Sequence, residues 1–372
     1  MAGLYIHIPF CRSRCIYCGF YSTTMLEMRQ SYTDALCKEM RMRGGATFGT
    51  IYIGGGTPSL LSESMIHQLF DTIEEVYEVS EAAEITMECN PDDVSKNFAE
   101  MLRTLPVNRV SMGIQSFDDR RLRFLHRRHT AEQGRQAVDR LRQAGIGNIS
   151  IDLMFGFPEE TLEQWRNDIT QALRLQVEHI SAYSLMFEEN TPLKEMLDRH
   201  QVSATDDEIY IIMYNALVAQ MKEAGYEHYE ISNFARPGYR SRHNSSYWDG
   251  TPYIGIGAAA HSYDTTSRTS NVPDLTQYIS SINDGVLPSQ REVLSATDRY
   301  NDMVTTRMRT SQGILIEDVR SMFGEDMVRY VLDNAATHLA NKWLVLENGH
   351  LHLTHEGIMM SDTVMSDLIK IE

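Results

Sequence analysis

The chain is poor in cysteine, poor in positive charge and without a long apolar run. Five cysteines occur in 372 residues. The count is odd and three lie bunched between positions 11 and 18, which argues against a disulfide framework and for a reducing cytoplasm. No stretch of about 18 apolar residues exists, so no membrane-spanning helix is expected. The opening residues, Met1-Ala-Gly-Leu-Tyr-Ile-His-Ile-Pro9, lack a basic patch and a long apolar segment, so no signal peptide is expected. The 34 Lys+Arg against 51 Asp+Glu leave a formal net charge of −17. Such a chain repels phosphate backbones, which sets nucleic acid aside as a main partner. Internal repeats and low-complexity linkers are also missing. A 42% hydrophobic content over 372 residues is enough for two or three packed domains.

The bunched cysteines carry the chemistry. Cys11-Arg-Ser-Arg-Cys15-Ile-Tyr-Cys18 follows the apolar run Leu4-Tyr5-Ile6-His7-Ile8, and Pro9 ends that run because proline cannot donate to a sheet ladder. Three thiolates on one loop can chelate one metal centre. They are one short of the four that a structural zinc or an ordinary iron–sulfur cluster takes. A cluster held by three cysteines keeps one iron open for the amino and carboxylate groups of S-adenosylmethionine (SAM). The alternative is a zinc site completed by a histidine such as His7. Cys37, in a predicted helix, and Cys89, at a strand end, read as buried small residues.

Six predicted strands alternate with helices: Leu4–Ile8, Thr50–Ile53, Glu84–Glu88, Arg109–Gln115, Ile149–Met154 and His179–Leu185. Helices are predicted over about 31–43, from Ser62 as N-cap, and over about 96–105, 118–125, 131–144, 162–175 and 206–224. Parallel strands with right-handed crossovers, in sequence order, imply a partial (β/α)6 TIM-like barrel. Working residues of such barrels gather at the C-terminal ends of the strands. Cys11, Gly54 to Pro58, Glu88 with Asn90, Gln115, Asp152 and Tyr183 with Ser184 all fall there. The expected division is a barrel over 1–235, a connecting segment over 236–290 and a mostly helical, winged-helix-like domain over 291–372. The last contains a hairpin, Leu344 to Leu353, turning at Asn348-Gly349. Residues 261–372 hold 9 Lys+Arg and 16 Asp+Glu, a net of −7, so this tail reads as a structural element or a lid rather than a DNA reader.

Individual motifs leave alternatives. Gly54-Gly-Gly-Thr-Pro58 offers unshielded backbone N–H groups to the amino acid part of SAM, or makes a tight turn. No Gly-Lys-Ser/Thr follows it, so ATP is not implied. Glu88, Gln115 and Asp152 are polar positions in apolar strands, suited to an amino group or a ribose, or to internal pairs with Arg109 or Arg127. Arg120 to His129 is the one basic run; it is a solvated face unless one arginine, with Arg127 best placed, turns inward. His243-Asn-Ser-Ser-Tyr247-Trp248, on a predicted loop, reads from composition as a satisfied histidine beside packing aromatics. Axial ligation of haem iron is the other reading.

These motifs together resemble the radical-SAM superfamily. The C-x3-C-x2-C loop with Tyr17 before its last cysteine, and the Gly54 to Pro58 run, carry that likeness. Met-Glu88-Cys-Asn-Pro, Gly-Ile-Gln115-Ser-Phe, Leu125 to His129, Ile-Asp152-Leu-Met-Phe-Gly and Gly255 to Ser262 narrow it. They resemble the anaerobic coproporphyrinogen III oxidase branch and its sister group, the HemW-type haem chaperones. The resemblance implies a [4Fe–4S] cluster on Cys11, Cys15 and Cys18, with SAM lined by Tyr5, Tyr17, Gly55, Glu88 and His261. Gly56, Thr57, Gln115, Arg127, Asp152 and Ala182 match positions that hold a second SAM in the oxidases. Phe20 stands where the oxidases have a further cysteine, and the first strand starts by Leu4, without their N-terminal extension. His243, Tyr247 and Trp248 match the haem-associated H-N-x-x-Y-W motif of the chaperone group. The expected function is a cytoplasmic haem chaperone serving respiratory haem proteins, with peripheral membrane contact left open. The alternative is an oxygen-independent coproporphyrinogen III oxidase, which converts propionates to vinyls with SAM.

Overall fold

The computed structural model describes residues 1–371. β1 (Ala2–Ile8), β2 (Thr47–Gly55), β3 (Glu78–Cys89), β4 (Arg109–Gln115), β5 (Asn148–Phe155) and β6 (His179–Ser184) pair in parallel in sequence order. Between them run α1 (Arg29–Arg43), α2 (Glu63–Val76), α3 (Lys96–Leu102), α4 (Asp119–Phe124), α5 (Ala131–Gln143) and α6 (Leu162–Arg174). Their starts follow from local chemistry. Ser62 accepts from the Met65 N–H, and Thr130 with Gln133 and Thr161 with Gln164 form capping boxes. α7 (Pro192–Asp198), capped by Thr191, is a short helix that periodicity did not reveal; α8 (Asp207–Glu223) follows.

Side-chain parity in the strands separates two environments. Leu4, Ile6, Ile8, Ile51, Ile53, Ile85, Met87, Val110, Met112, Ile151, Leu153 and Ile180 face the helices and form the main core. The alternate positions are polar: Tyr5, Tyr52, Glu88, Ser111, Asp152 and Ser181 line a single interior cavity. One cavity touched by all six strands means that the sheet curls, as the expected partial barrel does.

Residues 236–290 do not serve as a connection. After β7 (Glu227–Glu230) and β8 (Asn233–Ala235) extend the sheet beyond β6, α9 (Arg242–Asp249) crosses back to the other edge. There β9 (Tyr253–Ile256) pairs parallel to β1, and β10 (His261–Tyr263) and β11 (Ser267–Asn271) continue the sheet antiparallel. α10 (Leu275–Asn283) then leads to the last strand, β12 (Ser289–Val293). The twelve-stranded order is β12-β11-β10-β9-β1-β2-β3-β4-β5-β6-β8-β7. Glu39, buried in α1, ties this added sheet down: it accepts from the Gly257 N–H at 2.8 Å and from Asn271 Nδ2 at 2.8 Å. The tail domain starts a few residues later than the expected 291, because β12 belongs to the large sheet.

The C-terminal unit has its own core around Tyr300, Val304, Val319, Val331, Leu351 and Val364. Its elements are α11 (Ala296–Arg307), β13 (Ile314–Leu315), α12 (Ile316–Phe323), α13 (Glu325–Ala340), β14 (Leu344–Glu347), β15 (His350–Leu353), α14 (His355–Ile358) and α15 (Ser361–Leu368). Helices with a three-stranded β13-β15-β14 sheet make the expected winged-helix-like arrangement, and Asn348 and Gly349, both at positive φ, form the hairpin turn. Arg309 fastens the unit to the barrel. It pairs with buried Glu230 at 2.7 Å and lies 5.1 Å from the Trp248 ring.

Candidate metal-cofactor site

The cysteine loop leaves β1 and is pinned by its own apolar residues. Phe10 is buried edge-to-face against Tyr32, and the Cys11 N–H donates to the Thr23 carbonyl at 2.9 Å. Ile16, between Cys15 and Tyr17, inserts into a small core with Leu125, Met154, Phe157, Leu185 and Leu193. The chain around the thiols is therefore held while the thiols stay partly exposed. Cys11, Cys15 and Cys18 line the barrel cavity, whose volume is about 670 Å³. Cys37 and Cys89 are buried, as expected.

The glycine run works differently from the expectation. The Gly55 N–H donates to Glu88 Oε2 at 3.0 Å, and the Gly56 N–H to the Ile8 carbonyl at 2.8 Å, so neither is free for a ligand. Small size is what matters there. A Cβ on Gly56 would lie 2.8 Å from the backbone of Pro9 and Phe10, and one on Gly55, at φ 113°, would meet the His7 ring at 2.6 Å. The run lets β2 press against the root of the cysteine loop, with Thr57 Oγ1 3.7 Å from Cys11 Sγ.

Glu88 accepts from the Tyr52 hydroxyl at 2.6 Å as well as from Gly55. Burial pushes its carboxyl up to about 7, against the Tyr52 hydrogen bond. Asp152 is likewise raised by burial, to about 6, opposed by the Ser181 hydroxyl and by Arg109 and Arg127. Two carboxyls poised near neutrality in a cavity wall suit a cationic ligand. The expected internal pairs are not made: among the described residues neither carboxylate lies within 4.0 Å of Arg109 or Arg127. Arg109 is buried with Nε and Nη1 unpartnered. Arg127 does turn inward, donating to Asn90 Oδ1 and the Gly113 carbonyl, both at 2.7 Å, with Nη1 3.7 Å from Cys15 Sγ. Gln115 ends β4 at φ 65°, where the register with β5 shifts, and lines the same cavity.

Tyr5, Tyr17, Gly55, Gly56, Thr57, Glu88, Gln115, Arg127 and Asp152 thus meet at one wall with the three cysteines. Two expected residues do not. Ala182 has the opposite strand parity and packs in the helix-facing core. His261 is exposed in a separate groove with Tyr253, Arg268 and Gln290. Ser111, Ser181 and Asn244 reach the cavity and were missed, although their alternation with apolar neighbours marks the first two.

His7 does not complete a zinc site. Its Nδ1 bonds the Tyr5 hydroxyl at 2.8 Å and its Nε2 the Tyr21 carbonyl at 3.1 Å. Burial lowers its pKa to about 4. Among the described residues no three His, Cys, Asp or Glu side chains converge on one ion-sized point. His243 is also placed differently from the expectation. It lies on α9, not on a loop, fully buried at the barrel floor and stacked on Tyr52 with centroids 5.1 Å apart. Thr50 Oγ1 and Tyr247 Oη bond its two ring nitrogens, each at 2.9 Å. Glu84 caps α9 by accepting from the Arg242 and His243 N–H groups. In this conformation His243 has no lone pair to offer iron. Tyr247 packs edge-to-face on Tyr253, and Trp248 on Arg309.

Residues 5–172 match the Radical SAM superfamily, and residues 294–360 match the HemN C-terminal domain. The heme chaperone HemW of Bacillus subtilis is 33% identical over 372 residues, covering 98% of each chain. That of Escherichia coli is 34% identical over 375 residues, covering 94% of this chain and 96% of the relative. The chain belongs to the HemW family of radical-SAM proteins. The structure of coproporphyrinogen III oxidase (HemN), a Radical SAM enzyme from Escherichia coli, matches with a TM-score of 0.85. The match spans 99% of this chain and 90% of that one at 20% identity, which shows the shared fold. Radical-SAM membership implies a [4Fe–4S] cluster and SAM. The residues present fit both: three accessible thiols on one pinned loop, a guanidinium beside Cys15, and a cavity lined by two carboxyls. No helix of the described residues is long and apolar enough to cross a membrane.

Proposed function

We propose that this chain is a cytoplasmic haem chaperone of the HemW type, which binds haem and delivers it to respiratory haem proteins. Full-length similarity to relatives named heme chaperone HemW carries the reading, and Phe20 in place of a further cysteine supports it. Cys11, Cys15 and Cys18 would hold the [4Fe–4S] cluster. When bound, the reduced cluster supplies an electron to the sulfonium of SAM. Glu88, with Tyr52 and Gly55 fixing its orientation, would receive the SAM amino group. Arg127 places a fixed positive charge beside Cys15 and partly offsets thiolate charge there. Tyr5 and Tyr17 would wall the ligand from water.

The alternative, an oxygen-independent coproporphyrinogen III oxidase, draws on the shared HemN fold. One experiment separates the two. Anaerobically reconstituted protein is given SAM, a reductant and coproporphyrinogen III, and 5′-deoxyadenosine and porphyrin products are followed. Intact substrate over a competent cluster, with haem bound in a parallel titration, supports the chaperone. Protoporphyrinogen formed over many turnovers overturns it.

A further inference from the structure

Asp152 lies at one end of a row of buried polar side chains that leaves the cavity. It stands directly opposite Ser181 across β5 and β6, and Ser181 stands directly opposite Asn233 across β6 and β8. The Ser181 hydroxyl donates to Asn233 Oδ1 at 3.0 Å, and Asn233 Nδ2 donates to Glu230 Oε2 at 2.5 Å. Glu230, at the end of β7, also accepts from the Ser232 N–H at 2.9 Å and, on its other oxygen, from Arg309 Nε at 2.9 Å. Ser181, Asn233 and Glu230 are all buried. Arg309 belongs to the C-terminal unit, whose backbone is clipped on beside β7. The Ile231 N–H donates to the Arg309 carbonyl and the Ser311 N–H to the Tyr229 carbonyl, each at 3.0 Å. The row therefore runs unbroken from the cavity wall to the C-terminal unit.

The row has a direction. Glu230 meets donors on both oxygens and so acts as an acceptor, which makes the Asn233 amide turn its NH2 to Glu230 and its oxygen to Ser181. A hydroxyl has one proton, and Ser181 gives it to that oxygen. Toward Asp152 only Ser181 lone pairs remain, and these match an acid O–H rather than a carboxylate. The same hydroxyl would lower Asp152 if its proton turned there, so the direction of one proton decides the state of Asp152. The other groups facing Asp152 oppose one another. Burial and Glu88 on β3 favour the acid, while Arg109 on β4 and Arg127 after α4 favour the anion without touching it. Tyr17, Tyr52 and Tyr183, from the cysteine loop, β2 and β6, are uncharged. We infer that Arg309, Glu230, Asn233 and Ser181 form a polar relay that holds Asp152 as a neutral acid and ties the charge of the cavity wall to the docking of the C-terminal unit. Arg309, Glu230 and Asn233 do not line the cavity, so they are positioning residues. Glu88 is then the strand carboxylate left to meet a cation, and releasing Arg309 adds a second. The inference goes beyond the chaperone reading and stands without it.

The test follows, against pH, the carboxylic C=O infrared band that Asp152→Asn removes from full-length, cluster-loaded protein. Wild type should keep this band near pH 7, about three units above the ordinary titration of an aspartate. Asn233→Leu frees the Ser181 proton to turn to Asp152. The midpoint should then fall by about one to two units, the equivalent of one hydrogen bond to a charged group. Ser181→Ala takes away the acceptor of the acid O–H and should also lower the midpoint; a Ser181 that donated to an ionised Asp152 would make the same variant raise it. Arg309→Met loosens Glu230, lets the Asn233 amide turn over, and should lower the midpoint from outside the cavity. Melting temperatures show which variants fold, and Ser181→Ala, which loses one oxygen, decides the direction if Asn233→Leu does not fold. A wild-type band already gone near pH 7, a raised midpoint in Ser181→Ala, or an unmoved midpoint in folded Asn233→Leu overturns the relay. A fall in Asn233→Leu with none in Arg309→Met overturns the part given to the C-terminal unit.

Discussion

Replacing Glu88 by glutamine is the sharpest probe of the cavity. The carboxylate is oriented by two donors, the Tyr52 hydroxyl and the Gly55 N–H, and faces the space beside the three thiols. A hydrogen bond to a charged group contributes about 1.5–3 kcal/mol. At 1.4 kcal/mol per decade, Glu88→Gln should weaken SAM binding by about 10- to 150-fold. The pH dependence tests the assignment more closely. Burial raises the Glu88 carboxyl from its ordinary 4.5 to about 7. Below about pH 7 the free protein therefore holds a proton there, which must leave before the carboxylate can accept from the SAM amino group. Affinity should rise with pH up to about 7 and then level, falling by up to tenfold per unit on the acid side. An unshifted carboxyl would show no such change between about pH 6 and pH 8. Equilibrium binding of SAM to the cluster-loaded protein, measured anaerobically across that range, decides it. The reasoning is refuted if the glutamine variant binds like wild type, or if wild-type affinity ignores pH while the variant's does not.

Three further outcomes follow from the geometry. His243→Ala should destabilise the haem-free protein by about 3 kcal/mol, because it opens a cavity and strands Thr50 and Tyr247 in buried positions. Urea unfolding reads this, and unchanged stability would remove the scaffold role. Serine at Cys11, Cys15 or Cys18 should abolish iron retention, whereas serine at Cys37 or Cys89 should keep it; metal analysis of anaerobically purified protein decides. Gly56→Ala should cost about 1–3 kcal/mol, since its Cβ meets backbone rather than a movable side chain. The same shift should loosen the cysteine loop, so iron content falls together with the melting temperature.

Much of the architecture was legible because the signals are local. The apolar strand runs, Ser62 as a cap, and the Asn348-Gly349 turn each act within a few residues. α7 escaped because seven residues hold less than two full helical repeats, and its Thr191 cap lay unnoticed. The segment over 236–290 was misjudged for a different reason. Its strands are short and complete a sheet whose other members lie far away in sequence, so β9 has a partner only once β1 is in place.

By itself the sequence determined the three-cysteine loop and the apolar outer and polar inner faces of six strands. Those depend on residue type and spacing. Only the tertiary structure decided which polar groups share a wall. Ala182 and His261 fell outside it by strand parity and by sheet position, while Ser111, Ser181 and Asn244 fell inside. The tertiary structure also decided that the glycine N–H groups are spent within the chain, and that His243 is buried with both nitrogens paired. Hydrogen-bond satisfaction and burial belong to groups brought together across the fold, and no run of neighbouring residues encodes them.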